Sequence, residues 1–245
     1  MSDQLGALVR TNSESILAVT IPEGGPDFTR SVAISSSIYP NPDTHIEFVT
    51  NGQGGDSQSL LYTLLTGEGT RATRPLRWAA AVIRHPIRML RGIWPFGWSK
   101  RTVVLLVMQA LDNAISFRAR PKWFGKGVRL STEQDPEKPN PTFIPVANAA
   151  ASFLAERLGG IALSSTMEAL FNVPATAHIL GGAVIGADAS SGVVDAQSRV
   201  FGYRNLLVCD GAAVPANPGV NPSLTITALA EHAMSFVPEA QEGVR

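Results

Sequence analysis

Short apolar runs, and stretches in which apolar and polar side chains alternate, each predict a strand in this chain. Residues 15–20 (Ser-Ile-Leu-Ala-Val-Thr) are the first, closed by the turn Pro22-Glu23-Gly24-Gly25-Pro26. Residues 31–39 form a second, and Tyr39-Pro40-Asn41-Pro42-Asp43 turns the chain into a third at 44–50. Residues 102–108 are apolar throughout, far short of the ~20 residues of a membrane span, and read as a central strand. Ile115, Phe117 and Ala119 alternate, Gly125-Lys126-Gly127 turns, and Val128 to Leu130 returns, which predicts a hairpin. The period lengthens to that of a helix at 78–90, interrupted at Pro86, and again at 144–158, where Ala147, Ala150, Ala151, Leu154 and Leu158 share helical spacing before Gly159-Gly160. This order predicts a mixed α+β fold: an antiparallel sheet with helices on one side.

The stretch from Pro174 to His232 carries the chemistry. An apolar run at 206–209 ends on Asp210-Gly211, followed by a Gly/Pro/Asn loop and a helix at 223–237. A strand ending in Asp-Gly ahead of such a loop is where α/β proteins hold ligands, although a plain strand–turn–helix connection has the same sequence. Asn221-Pro222 offers an N-cap residue with proline at the first helical position. Leu224, Ile226, Leu229, Ala230, Ala233, Met234 and Phe236 leave this helix little polar face, so it is expected to be largely buried. Its free N–H groups and positive dipole end then face the Gly219 loop, suited to an electron-rich or anionic ligand.

Among the four histidines, His178 is the candidate base, since it lies beside Gly181-Gly182 in a stretch that otherwise reads as core. A hydrogen-bonded core histidine is the alternative. His45 and His85 have no partner pattern, His232 lies in the last turns of the C-terminal helix, and no metal-ligand spacing links the histidines and Cys209. Cys209, the single cysteine, excludes an internal disulfide framework and reads as a small buried hydrophobe. Glu47 stands between Ile46 and Phe48 in a strand, where an acid usually occupies the solvent face.

Composition narrows the function classes. Hydrophobic residues make up 44% of the 245, enough for a core, and 20 basic against 20 acidic side chains argue against nucleic acid as a partner. The N-terminal residues have neither a basic nor an apolar region, so no signal peptide is expected on this chain, which fits a cytoplasmic or peripheral membrane location. The charge is unevenly distributed. Between Glu68 and Asp112 there is no acid, while Arg71, Arg74, Arg77, Arg84, Arg88, Arg91, Lys100 and Arg101 supply eight positive charges, leaving minus eight on the rest of a chain of zero net charge. Trp78, Trp94, Phe96 and Trp98 interleave with them. Such a segment either docks on an anionic membrane surface or is a solvated helix whose aromatics face its own core.

Four motifs in order and spacing carry a resemblance: His178-Ile179-Leu180-Gly181-Gly182, Gly192-Val193-Val194-Asp195, Asn205-Leu206-Leu207-Val208-Cys209-Asp210-Gly211, and Gly219-Val220-Asn221-Pro222. Together they resemble the C-terminal half of a glucose-methanol-choline (GMC) oxidoreductase of the cholesterol oxidase-like branch. Arg10-Thr11-Asn12-Ser13-Glu14-Ser15, Pro42-Asp43-Thr44-His45-Ile46-Glu47 and Pro139-Asn140-Pro141-Thr142 extend the resemblance over nearly the whole chain. One departure is Ile179, where many members have proline.

The resemblance implies an FAD-dependent oxidation of a sterol hydroxyl, or of another alcohol, with electrons passing to oxygen or another acceptor. It implies catalytic roles for His178 and Asn221, and for Glu47 as a carboxylate reaching the steroid and serving double-bond isomerisation. It implies FAD contacts from Asp210, Gly211, Gly219, Val220, Asn221 and Pro222. It divides the chain into a connector at 1–25, a substrate-binding domain at 26–172 and the C-terminal part of a Rossmann-like FAD domain at 173–245. The Gly-rich βαβ turn that holds the FAD pyrophosphate in that family has no counterpart at Gly52-Gln53-Gly54-Gly55, Gly159-Gly160 or Gly181-Gly182. The chain is therefore expected to be the second part of a longer flavoenzyme, with a missing N-terminal FAD-binding half as partner, or an inactive sterol-binding half of a split protein.

Overall fold

Strands outnumber helices where β-branched and alternating residues dominate. The computed structural model describes residues 2–239. Its strands are β1 (Ser15–Thr20), β2 (Ile34–Asn41), β3 (Thr44–Thr50), β4 (Tyr62–Leu64), β5 (Thr102–Gln109), β6 (Ile115–Pro121), β7 (Val128–Gln134) and β8 (Ile161–Ser165). Its helices are α1 (Thr73–Arg84), α2 (Pro86–Ile93), α3 (Trp98–Arg101), α4 (Pro145–Arg157), α5 (Thr166–Phe171) and α6 (Ser223–Met234). They divide into two compact units, one of residues 13–110 and 141–177, the other of residues up to 12, 111–140 and from 178 onward.

The first unit is built on a six-stranded sheet of order β2-β3-β5-β1-β8-β4. Every pairing is antiparallel, and β5, the most continuously apolar strand, lies between β3 and β1. A strand apolar at every position needs cover on both faces, and the parity of β1 shows that it has it. Leu17 and Val19 point to one face, packed with Val103, Leu105 and Val107 against Ala147, Ala151 and Ala155 of α4. Ala18 points to the other, packed with Val104, Leu163 and Tyr62 against Trp98 and against Met89 and Ile93 of α2. Helices thus cover both faces rather than the one expected.

Pro86 divides the expected helix as its missing N–H dictates: α1 ends at Arg84 and Pro86 opens α2. The aromatic residues divide too, with Trp98 fully buried and Trp94 and Phe96 exposed. Gly92 lets α2 approach β8, since a Cβ there would stand 2.8 Å from Leu163 Cδ2.

The second unit contains the hairpin β6–β7, helix α6 and a run of irregular backbone from 178 to 222. Three expectations fail in it. The apolar run at 206–209 is not a strand. Leu207 makes one bridge with Arg199, and the flanking hydrogen bonds join Val208 to Ser198 and Leu206 to Val200. The turn at Asp195, whose carboxylate accepts the N–H groups of Gln197 and Arg199, interrupts the partner segment before a ladder can grow. Cys209 is accordingly only partly buried. Finally, α6 is mostly exposed: Ala233 is its one buried residue, while Leu224 and Met234 lie open.

Candidate active site

Gly181 and Gly211 bring the histidine segment to the Asp210 turn. Backbone N–H groups of Gly181 and Ala183 donate to the carbonyls of Gly211 and Ala212 at 2.9 and 3.0 Å. Gly181 has φ +70°, and a Cβ there would sit 2.0 Å from the Leu8 carbonyl oxygen, so no other residue fits. Leu180, buried, exchanges both backbone hydrogen bonds with Arg10 at 2.7 and 2.9 Å. His178, partly buried, therefore lies on a backbone whose register against Asp210-Gly211 is fixed within three residues of its ring.

A lattice of asparagines holds the 217–220 loop. Asn12 has φ +54°, a conformation asparagine tolerates. Its Oδ1 accepts the Gly219 N–H at 3.1 Å and its Nδ2 donates to the Val220 carbonyl at 3.0 Å. Asn217 Oδ1 accepts the Asn12 N–H at 3.0 Å, and Asn217 Nδ2 donates to the Leu111 carbonyl at 2.7 Å and to Asn113 Oδ1 at 2.9 Å. All three asparagines are buried. Each side-chain amide replaces water that the loop backbone loses, which is the requirement for burying irregular chain.

Arg10 completes the frame. Its guanidinium donates to the carbonyls of Pro215 (3.1 Å) and Asn113 (2.7 Å) and pairs with Asp112 at 3.1 Å. Lys138, and then Arg10, beside Asp112 hold its carboxyl below the usual carboxylate range. Sequence reasoning marked Arg10 and Asn12 only as part of a resembling motif and missed Asn113 and Asn217. Their partners lie more than 100 residues away, and nothing local announces them.

Asp210 is exposed, and its Oδ1 caps the 3-10 turn Gly211–Ala213 through the Ala212 N–H at 2.8 Å. Pro222, not Asn221, occupies the N-cap of α6, because the Pro222 carbonyl is the first acceptor, taking the Ile226 N–H at 2.8 Å. Asn221 immediately precedes the N-cap residue. The N-cap proline itself makes no side-chain cap, and Ser223 and Leu224 of the first turn are exposed. The exposed first turn of α6 after the Gly219 loop, with Asp210 exposed in the same unit, is compatible with the electron-rich ring and ribose hydroxyls of a flavin nucleotide.

The remaining predicted residue, Glu47, belongs to the other unit. It is buried, contrary to the solvent-face reading of an acid in a strand. It shares a sheet face with His45, whose Nδ1 lies 3.7 Å from Glu47 Oε1, and His45 stacks on Tyr39 with centroids 4.3 Å apart. The same unit buries a second acid that the sequence did not signal. Glu168 accepts the Ser15 hydroxyl at 2.9 Å and lies 3.6 Å from Arg74 Nη2, a fully buried guanidinium stacked on Phe143. Burial pushes the Glu168 carboxyl up to about 7, against the opposing hydrogen bond from Ser15 and charge of Arg74. Glu14, also buried, accepts the Thr176 hydroxyl at 2.8 Å and the Ala177 N–H, fixing the residues that immediately precede His178.

Comparison with known proteins gives the geometry a context. The C-terminal family model of the GMC oxidoreductases matches residues 104–230, just over half of the chain. A cholesterol oxidase of Mycobacterium tuberculosis is 48% identical over 253 aligned residues, covering 99% of this chain and 43% of that protein. A cholesterol oxidase of Acinetobacter baumannii is 45% identical over 239 residues, covering 97% and 42%. The chain thus spans less than half the length of these relatives. The crystal structure of pyridoxine 4-oxidase from Mesorbium loti superposes with a TM-score of 0.53 at 15% identity, covering 96% of this chain and 44% of that one, a likeness of fold.

Proposed function

This chain belongs to the GMC oxidoreductase family, and we propose that the enzyme oxidises the hydroxyl group of a sterol to a ketone. The observation that carries the reading is the 45–48% identity to cholesterol oxidases across 97–99% of the chain. FAD, when bound, supplies the hydride acceptor, from which oxygen or another acceptor takes the electrons.

In this reading the unit containing α6 contributes cofactor contacts and the sheet unit binds substrate. Asp210 and Gly211 hold the sugar–phosphate chain of FAD, while Gly219, Val220, Asn221 and Pro222 form the wall for its ring. His178 takes the hydroxyl proton as the general base. The Asn221 amide donates to the substrate oxygen and orients it. Glu47 moves a proton between ring carbons in the accompanying double-bond isomerisation, a task for a carboxylate removed from bulk water.

Quenching of FAD fluorescence on titration with the purified chain tests the cofactor part. Saturable binding that weakens in Asp210→Ala supports it, and absence of binding even with the relatives' N-terminal portion supplied in trans counts against it. Anaerobic bleaching of the flavin by sterols, in preference to straight-chain alcohols, tests the substrate. A second reading, a sterol-binding half without oxidase activity, is favoured by the lack of a Gly-rich strand–turn–helix in this sequence; sterol binding without flavin would support it.

A further inference from the structure

His45 and Glu47 stand two residues apart on β3, so their side chains leave the same face of the sheet. Both are buried, and His45 Nδ1 lies 3.7 Å from Glu47 Oε1. Their partners across β5 are Met108 and Leu106, buried residues that offer an imidazole no strong hydrogen bond. Neither Nδ1 nor Nε2 of His45 has a hydrogen-bond partner among the described residues. Tyr39 of β2 stacks on the ring with centroids 4.3 Å apart and planes 6° from parallel, which fixes the orientation of the imidazole. All three residues belong to the sheet unit.

A purely structural role does not account for this histidine. Burying an imidazole without hydrogen bonds costs stability, and a phenylalanine would fill the position and stack on Tyr39 without that cost. The ring nitrogens therefore point to a task other than folding, and the carboxylate beside Nδ1 defines it. A separation of 3.7 Å is longer than a formed hydrogen bond. Catalytic contacts of this kind are often long in the free protein and tighten when substrate binds.

We propose that His45 is the positioning residue of Glu47: with substrate bound, its Nδ1–H donates to Oε1 and so directs Oε2 at the ring carbons of the steroid. The proposal rests on the isomerisation reading of Glu47. In that reaction the carboxylate takes a proton from the carbon between the ketone and the double bond, and the electrons of the C–H bond pass into an enolate. The proton then returns to the far carbon of the former double bond, which moves the double bond by one position and leaves the carboxylate as it began. The base must be charged at the outset and must keep its place between two carbons. A donor on Oε1 serves both needs, since it stabilises the charge and stops the carboxylate from rotating. An aliphatic neighbour would do neither.

The test supplies a β,γ-unsaturated ketosteroid to the full chain reconstituted with FAD, which isolates isomerisation from alcohol oxidation, and follows the ultraviolet absorption of the conjugated product. His45→Phe is expected to lower kcat by about 10- to 100-fold, the range for losing one hydrogen bond to a charged group, with KM near the parent value and stability in urea no lower. His45→Asn, whose amide N–H can replace Nδ1–H, should recover most of the rate. His45→Phe/Glu47→Gln should be no slower than Glu47→Gln alone, because His45 acts only through the carboxylate. A parent rate in His45→Phe, no recovery in His45→Asn, or a further loss in the double variant would each overturn the proposal. A second readout needs neither flavin nor turnover. In the proton NMR spectrum of the chain, the imidazole N–H resonance that His45→Phe removes should move in Glu47→Gln, and a resonance that stays in place would overturn the pairing. Normal isomerisation in Glu47→Gln would sink the reading of Glu47 and this proposal with it. Slow isomerisation there, beside a parent rate in His45→Phe, would sink the proposal alone.

Discussion

The backbone N–H of Asn12 donates to the side-chain Oδ1 of Asn217 at 3.0 Å, across 205 positions of sequence. Through this contact and the two that Asn12 makes to Gly219 and Val220, the start of the chain fixes the loop ahead of α6. Asn12→Ala should therefore leave the Gly219 N–H and Val220 carbonyl without partners and place an alanine at φ +54°. A loss of about 2–4 kcal/mol is expected from the orphaned groups and the left-handed backbone, read by urea unfolding. Asn12→Asp, which keeps the acceptor and loses the donor, should fall between the two proteins.

Gly181 and Gly202 both have positive φ but differ in surroundings. A Cβ at Gly181 meets the Leu8 carbonyl oxygen at 2.0 Å, whereas one at Gly202 meets nothing within 4 Å. Gly202→Ala should cost about 1 kcal/mol, the conformational part alone. Gly181→Ala should cost more than ~3 kcal/mol and separate the His178 segment from Gly211. Thermal unfolding of both variants checks the difference, and equal losses would show that the close approach is relieved elsewhere.

Glu168 makes stability depend on pH in a defined direction. Its carboxyl is raised by burial from 4.5 to about 7, so the folded state holds a proton that the unfolded state releases. The stabilisation is complete below pH 4.5 and is lost as pH rises to about 7, at most about 3 kcal/mol in all. Urea unfolding between pH 5 and 8 should show this decline for the parent protein and a flatter profile for Glu168→Gln, which retains an acceptor for Ser15.

The roles proposed for the site separate by measurement. In an enzyme reconstituted with flavin, His178→Gln should lower kcat for alcohol oxidation by about 10²–10⁴ with FAD affinity unchanged. Glu47→Gln should leave oxidation close to the parent rate and slow double-bond migration by a factor in the same range, about 10²–10⁴. Chromatography of the steroid products distinguishes the two; loss of both activities in Glu47→Gln would give this residue a structural role instead.

Much of this was readable before any coordinates. The strands read at residues 15–20 and 44–50 are β1 and β3 at the bounds the structure has, and Pro86 announced the break between α1 and α2. The unbroken apolar character of β5 placed it inside the sheet. Other residues were misleading because their fate depends on neighbours: Glu47 has the local pattern of a surface acid and is buried, and α6 has the composition of a buried helix and is largely exposed. Residues 206–209 have strand composition but no partner long enough to form a ladder.

The sequence by itself determined the periodicities, the breaks at proline and glycine, the uneven charge and the motifs that carry the family resemblance, because each of these acts within a few residues of chain. Only the tertiary structure decided that Gly181 is sterically obligatory, that Arg10, Asn12, Asn113 and Asn217 form one frame, and that Arg74 is buried beside Glu168. Those facts depend on hydrogen-bond partners and close approaches between segments distant in the chain, and a local pattern contains no information about which distant group will replace the water a buried polar atom loses.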